Sequence, residues 1–210
     1  MGRSVISERI GNLIRGQILG LGRFLAGLGL TPNMLTVIGV LLNGVVAVII
    51  ATDHPRLGGA LLLVASAFDM LDGAVARASG STSPFGGFLD STLDRYSESL
   101  VFFGVLIYFI EGDDWKTGAI LTFISTVGAL MISYARARAE SLGYKASVGL
   151  LARPERVILL ALFLMIGRPL IAMWILAFAT HLTALTRIVH VWRISEGEMK
   201  TAARAESGSP

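Results

Sequence analysis

Six apolar stretches, five near the length that crosses a bilayer and the fifth in chain order short for a full span, set the terms on which this chain can fold. A spanning helix needs about 20 predominantly apolar residues. The stretches run from about Met34 to Thr52, Leu57 to Arg77, Pro84 to Ile110, Trp115 to Glu140, Pro154 to Ile166, and from the break at Gly167-Arg168-Pro169 to about Trp192. Inside lipid every backbone amide must bond within its own segment, so such stretches fold as helices. Composition agrees: 53% of the 210 residues are hydrophobic and 16% charged, and the mean hydropathy is +0.68. A soluble domain carries about 25% charge. The expected fold class is an all-α integral membrane protein with six transmembrane helices and an N-terminal amphipathic interfacial helix.

That interfacial helix is expected within residues 1–30. Val5, Ile6, Ile10, Leu13, Ile14, Leu21, Phe24 and Leu25 recur at helical spacing, with Arg3, Arg9, Arg15 and Arg23 spread among them. The alternative is a first transmembrane helix, which flanking rather than scattered arginines would favour. The arginines also interrupt any signal-peptide core. Residues 31–194 are expected to form one six-helix transmembrane domain, and 195–210 a disordered polar tail. Of the 18 Lys and Arg residues, Arg56, Lys116 and Arg168 fall on the side opposite the termini. The positive-inside rule then places both termini in the cytoplasm, in the cell membrane. No soluble basic domain exists to bind nucleic acid. With no cysteine, disulfides and thiolate chemistry are excluded.

The charges that remain in the apolar segments are concentrated. Asp69 and Asp72 stand i, i+3 at the end of the second stretch, and Asp90 and Asp94 stand i, i+4 in the third. Each pair shares a helix face, and the short loop between the helices makes them antiparallel neighbours whose carboxylates can converge. An Asp at the centre of a membrane helix costs about 2.5–3.5 kcal/mol on insertion scales. Clustered carboxylates also repel, so closing them on one point requires cations. Oxygen-only ligands favour Mg²⁺ or Mn²⁺, and two such ions suit pyrophosphate chemistry. Gly73 permits close backbone approach of a phosphate, Ala76 allows tight helix packing, Arg77 can grip a phosphate bidentately, and Gly86 gives space opposite.

The run from Asp69 to Asp94 resembles the CDP-alcohol phosphotransferase signature, D-x2-D-G-x2-A-R-x8-G-x3-D-x3-D, at every fixed position. Thr31-Pro32-Asn33-Met34-Leu35-Thr36 resembles that family's T-P-N-x-x-T element. The resemblance implies that Asp69, Asp72 and Asp90 bind one metal and Asp69, Asp90 and Asp94 a second. It implies that Asp94 is the catalytic base. It implies that Pro32, Asn33, Met34, Leu35, Gly73, Arg77 and Ser83 contact the CDP part of the donor, CDP-diacylglycerol. An acceptor alkoxide would attack the lipid-side phosphorus and CMP would leave.

A basic group follows: Arg136 and Arg138 end the fourth stretch, Lys145 lies in the loop, and Arg153, Arg156, Arg187 and Arg193 come after. Arginine suits a phosphorylated polyol acceptor because it grips phosphate in a planar fork. The plainer role is anchoring at lipid headgroups. Arg136, Arg153, Arg156 and Arg187 are the candidates for the acceptor phosphate. Ser133 to Glu140 and Arg153-Pro154-Glu155-Arg156 resemble the prokaryotic branch of the family that makes phosphatidylinositol phosphate, where the first basic position is often Lys and this chain has Arg136. Inositol 1-phosphate is the expected acceptor and glycerol 3-phosphate the alternative. Small faces such as Gly39, Gly44 and Ala47 suit close packing of helices or of a second copy, and a homodimer is expected. A prenyltransferase would carry its two aspartate motifs on distant helices. An ion-coupled transporter would show repeat halves.

Overall fold

The computed structural model describes residues 20, 24–25, 27–80 and 82–207. Six long elements are α1 (Pro32–Ala51), α2 (Pro55–Ser79), α3 (Pro84–Ile110), α4 (Trp115–Ser141), α5 (Arg153–Met165) and α6 (Pro169–Ser207), and no strand occurs among the described residues. Most of the expected interfacial helix, 1–30, lies outside the described residues. The chain forms two compact units, Met1–Gly104 and Val105–Pro210.

Four segments are long and apolar enough to cross a membrane: Pro32–Ala51, Pro55–Arg77, Trp115–Ser141 and Pro169–Lys200. The chain is a membrane protein. Two of the six expected spans fall outside that count among the described residues. α5 has 13 residues, which at 1.5 Å per residue gives about 20 Å, short of a hydrocarbon core of about 30 Å. α3 is 27 residues long but carries Asp90, Asp94, Arg95 and Glu98 within its first 15 positions.

In the first unit, helix starts follow local chemistry. Proline sits in the first turn of α1 and of α2, where its missing N–H costs no bond. The Thr31 hydroxyl accepts the Met34 amide at 3.3 Å and the Ser83 hydroxyl accepts the Gly86 amide at 3.0 Å, capping α1 and α3. Gly80, at φ 66°, closes α2 in the left-handed conformation. The buried residues of α1 are Leu35, Thr36, Gly39, Asn43, Val46, Ala47 and Ile50, a single stripe of helical period. Its other face exposes Val37, Leu41, Val45 and Val48, apolar as contact with lipid requires. Glycines on the neighbouring helices let them come close to this stripe. A Cβ on Gly58 would collide with the Ile50 side chain, and one on Gly104 would lie 2.7 Å from the Ala47 Cα.

In the second unit α4 packs along α6 and α5 joins α6. The contact again runs through small residues: a Cβ on Gly128 would lie 2.7 Å from Thr180 Cβ. Ser125 donates to the Met173 carbonyl at 3.4 Å, and His181 Nε2 meets the Ile124 carbonyl at 3.1 Å. The loop after α4 is tied to α6 as well. His190 Nε2 lies 3.1 Å from the Lys145 carbonyl, and the Leu151 amide donates to Thr183 Oγ1 at 3.4 Å. α6 continues as backbone helix to Ser207, into the stretch expected as a polar tail. A Glu196–Lys200 pair, 3.5 Å apart at i, i+4, is the kind of contact that supports a solvent-exposed helical extension.

Candidate functional site

A cavity of about 220 Å³ opens in the first unit between the start of α1, the end of α2 and the start of α3. α1 contributes Pro32, Asn33 and Thr36, which share one helix face. α2 contributes Asp72, Gly73, Ala76 and Arg77. The α2–α3 loop adds Thr82 and Ser83, and α3 adds Gly86, Gly87 and Asp90. The two halves of the acidic motif therefore meet at one cavity, through Asp72 on one helix and Asp90 on the other.

The wall is organised by hydrogen bonds. Thr36 Oγ1 donates to Asp72 Oδ2 at 2.9 Å, and the Gly73 amide donates to Asp72 Oδ1. A Cβ on Gly73 would lie 3.2 Å from Arg77 Nη1, so the guanidinium folds back over the bare glycine backbone. A Cβ on Gly86 would lie 3.1 Å from Ser83 Oγ and 3.4 Å from Asn33 Oδ1. Glycine there leaves room for both polar side chains at the cavity edge.

Seven of the expected site residues line this cavity: Pro32, Asn33, Asp72, Gly73, Arg77, Ser83 and Asp90. Met34 and Leu35 do not. A helix advances about 100° per residue, so positions 32, 33 and 36 face inward together while 34 and 35 turn away. Leu35 is buried in the core and Met34 is exposed. Thr36 is a site residue that the sequence signalled only as the last letter of T-P-N-x-x-T. Asp69 lies one turn before Asp72, with its Oδ1 over Gly39 of α1, and Asp94 lies one turn beyond Asp90. Among the described residues no three His, Asp or Glu side chains are gathered tightly enough to hold a metal ion. In kind the donors fit a hard divalent cation, since all are carboxylate oxygens and two of them face one cavity.

The candidate acceptor residues lie in the second unit and differ in surroundings. Arg156 is buried at 2% exposure and donates through Nη1 to the Leu151 carbonyl at 3.2 Å. Arg187 is buried and donates through Nε to the Val148 carbonyl at 2.9 Å and through Nη1 to the Ile132 carbonyl at 2.7 Å. Arg136 is exposed and pairs with Glu140 at 2.8 Å. Arg153 opens α5 and is half-buried.

A helical membrane protein that lines one cavity with carboxylates, hydroxyls, a guanidinium and open glycine backbone belongs to the class of membrane-embedded enzymes of phosphate-ester chemistry. The chain belongs to the CDP-alcohol phosphatidyltransferase family, whose pattern it matches over residues 29–186, and it is a transferase. It is 36% identical over 169 residues to the archaetidylinositol phosphate synthase of Pyrococcus horikoshii, covering 80% of this chain and 87% of that one. The crystal structure of Mycobacterium tuberculosis phosphatidylinositol phosphate synthase with CDP-DAG bound superposes with a TM-score of 0.79 at 32% identity, covering 83% of this chain and 93% of that one. The same enzyme in complex with manganese and citrate gives a TM-score of 0.78 at 33% identity, covering 83% and 88%.

Proposed function

We propose that this enzyme transfers the phosphatidyl group of CDP-diacylglycerol to inositol 1-phosphate and releases CMP. The observation that carries the reading is the cavity in which Asp72 and Asp90 meet Arg77, Gly73, Asn33 and Ser83. The relatives support the substrates: one is named for archaetidylinositol phosphate and another holds CDP-DAG.

In this reading Asn33, Gly73, Arg77 and Ser83 hold the cytidine diphosphate, with Pro32 shaping the edge. Two divalent ions, Mg²⁺ or Mn²⁺, held by Asp69, Asp72 and Asp90 and by Asp69, Asp90 and Asp94, would neutralise the diphosphate and lower the pKa of the acceptor hydroxyl. Manganese binding by the M. tuberculosis enzyme supports such a site. Asp94 takes the hydroxyl proton. The acceptor oxygen bonds to the lipid-side phosphorus, the bond from that phosphorus to the CMP oxygen breaks, and CMP leaves with the electron pair. Arg136, Arg153, Arg156 and Arg187 bind the acceptor phosphate. A guanidinium carries five N–H donors, so the two carbonyl bonds of Arg187 do not exhaust it.

We also read α3 and α5 as membrane helices, which gives six. The segment 1–30 lies in the interface, both termini and the active site face the cytoplasm across the cell membrane, and the working form is a homodimer. The distribution of Lys and Arg supports that orientation. The deciding test is CMP release by purified protein with CDP-diacylglycerol and Mg²⁺. Inositol 1-phosphate should drive turnover at least tenfold faster than glycerol 3-phosphate. The reverse preference would reassign the acceptor, and no CMP with either would refute the transfer.

A further inference from the structure

We infer that α1 is the template that aims the carboxylates of α2, with Thr36 and Gly39 as positioning residues for Asp72 and Asp69. The inference rests on the proposal that these carboxylates take up a divalent cation. The two contacts lie in one antiparallel register: three residues up α1 from Thr36 is Gly39, and three residues down α2 from Asp72 is Asp69. Each contact controls a carboxylate in a different way.

At the first position the control is a hydrogen bond. Thr36 is buried, and its Oγ1 lies 2.9 Å from Asp72 Oδ2 and 3.1 Å from the Pro32 carbonyl. A hydroxyl has one proton to give. The carboxylate is the shorter contact and the charged acceptor, so it takes that proton. The Gly73 amide holds the other oxygen, Oδ1. With one donor on each oxygen, the carboxylate plane is fixed, and its remaining lone pairs are the ones available to the cavity that Asp72 lines.

At the second position the control is space. A Cβ on residue 39 would collide with Asp69 Oδ1, and the Asp69 Cγ lies 3.5 Å from that point. Gly39 is buried in the middle of a helix, where glycine costs about 1 kcal/mol relative to alanine. A helix former would be preferred there unless the room were needed. Any side chain at 39 pushes the Asp69 carboxylate off α1 and out of line with Asp72. Residues that orient a metal ligand from behind typically change metal affinity by about 10–100-fold when removed.

The test uses the full chain in detergent, with Mn²⁺ binding read by electron paramagnetic resonance of the free ion and the fold read by thermal unfolding without metal. Thr36→Val keeps the shape and removes the donor; Mn²⁺ affinity should fall at least tenfold while the protein still unfolds in one cooperative transition, with the midpoint lowered by the lost hydrogen bond. Thr36→Ser restores the donor and should bind within about threefold of wild type, on the scale of that same ligand-orienting effect. Gly39→Ala should weaken Mn²⁺ binding by a similar factor, and if it does not fold, the Thr36 pair still decides. Asp72→Asn separates the two levels. Loss of binding in Asp72→Asn with wild-type binding in Thr36→Val would overturn the positioning role alone. Wild-type binding in Asp72→Asn, or none in the wild type, would overturn the metal reading and this inference together.

Discussion

Arg187 reaches across from α6 to donate to the Ile132 carbonyl of α4 at 2.7 Å. Ile132 lies inside a helix, so its carbonyl already accepts an intrahelical amide, and the guanidinium adds a second donor. With its Nε on Val148, the same side chain staples a helix and a loop to α6. Arg187→Met should lower stability by about 1.5–3 kcal/mol, the usual scale for hydrogen bonds to a charged group. Thermal unfolding in detergent reads it directly. Arg187→Lys should recover part of the loss, since an ammonium reaches one carbonyl but not both.

Asp94 sits one helical turn beyond Asp90, with its side chain partly buried. If it takes the acceptor proton, Asp94→Asn should cut kcat by at least 10²-fold, within the range for a lost general base, and leave the unfolding midpoint where it was. Turnover within threefold of wild type would remove Asp94 from proton transfer.

On the proposed reading Arg156 binds the acceptor phosphate, and its burial and its bond to the Leu151 carbonyl make Arg156→Ala destabilising as well. The expected kinetic signature is an acceptor KM raised at least tenfold, with the KM for CDP-diacylglycerol within about twofold. A charge-assisted bond of about 1.5–3 kcal/mol corresponds to that range. Equal rises in both KM values would mean the change is a folding defect.

The α1–α3 contact leaves no room at Gly104, where a Cβ would lie 2.7 Å from the backbone of Ala47. Gly104→Ala should therefore destabilise by about 1–3 kcal/mol, as overpacking does. Alanine's higher helix propensity gives back at most about 1 kcal/mol. A rise in the unfolding midpoint would show that the helices separate freely.

Chelation offers a further check on the acidic site. EDTA should abolish CMP release, and added Mg²⁺ or Mn²⁺ should restore it, because clustered carboxylates beside a diphosphate require a counter-charge. Full activity in EDTA would exclude a divalent ion from the reaction.

Much of this was legible in the sequence because it is set by local rules. Pro84 and Trp115 open α3 and α4 where expected, and Pro169 opens α6 after the Gly167-Arg168 break. Asp72, Gly73, Arg77, Ser83 and Asp90 meet at one cavity because helical spacing and a short loop leave them little choice. Other features depend on partners that a linear pattern does not name. Met34 and Leu35 share a motif with Asn33 but not its face. The buried bonds of Arg156 and Arg187 go to carbonyls, which every residue has, so no residue type marks them in advance. Thr36 looked like one polar letter at a helix start until Asp72 was seen beside it. The tail 196–207 is helical because α6 continues into it, and composition alone reads that stretch as coil.

The ties from α6 to the preceding loop have a mechanical consequence. Val148 is held by Arg187, Lys145 by His190 and Leu151 by Thr183, and Leu151 in turn anchors Arg156 at the start of α5. A twist or slide of α6 along its axis is thus geared to the first turn of α5. Arg156 and Arg187 are linked in this way through Leu151 and α6, so a displacement of one guanidinium is passed to the other.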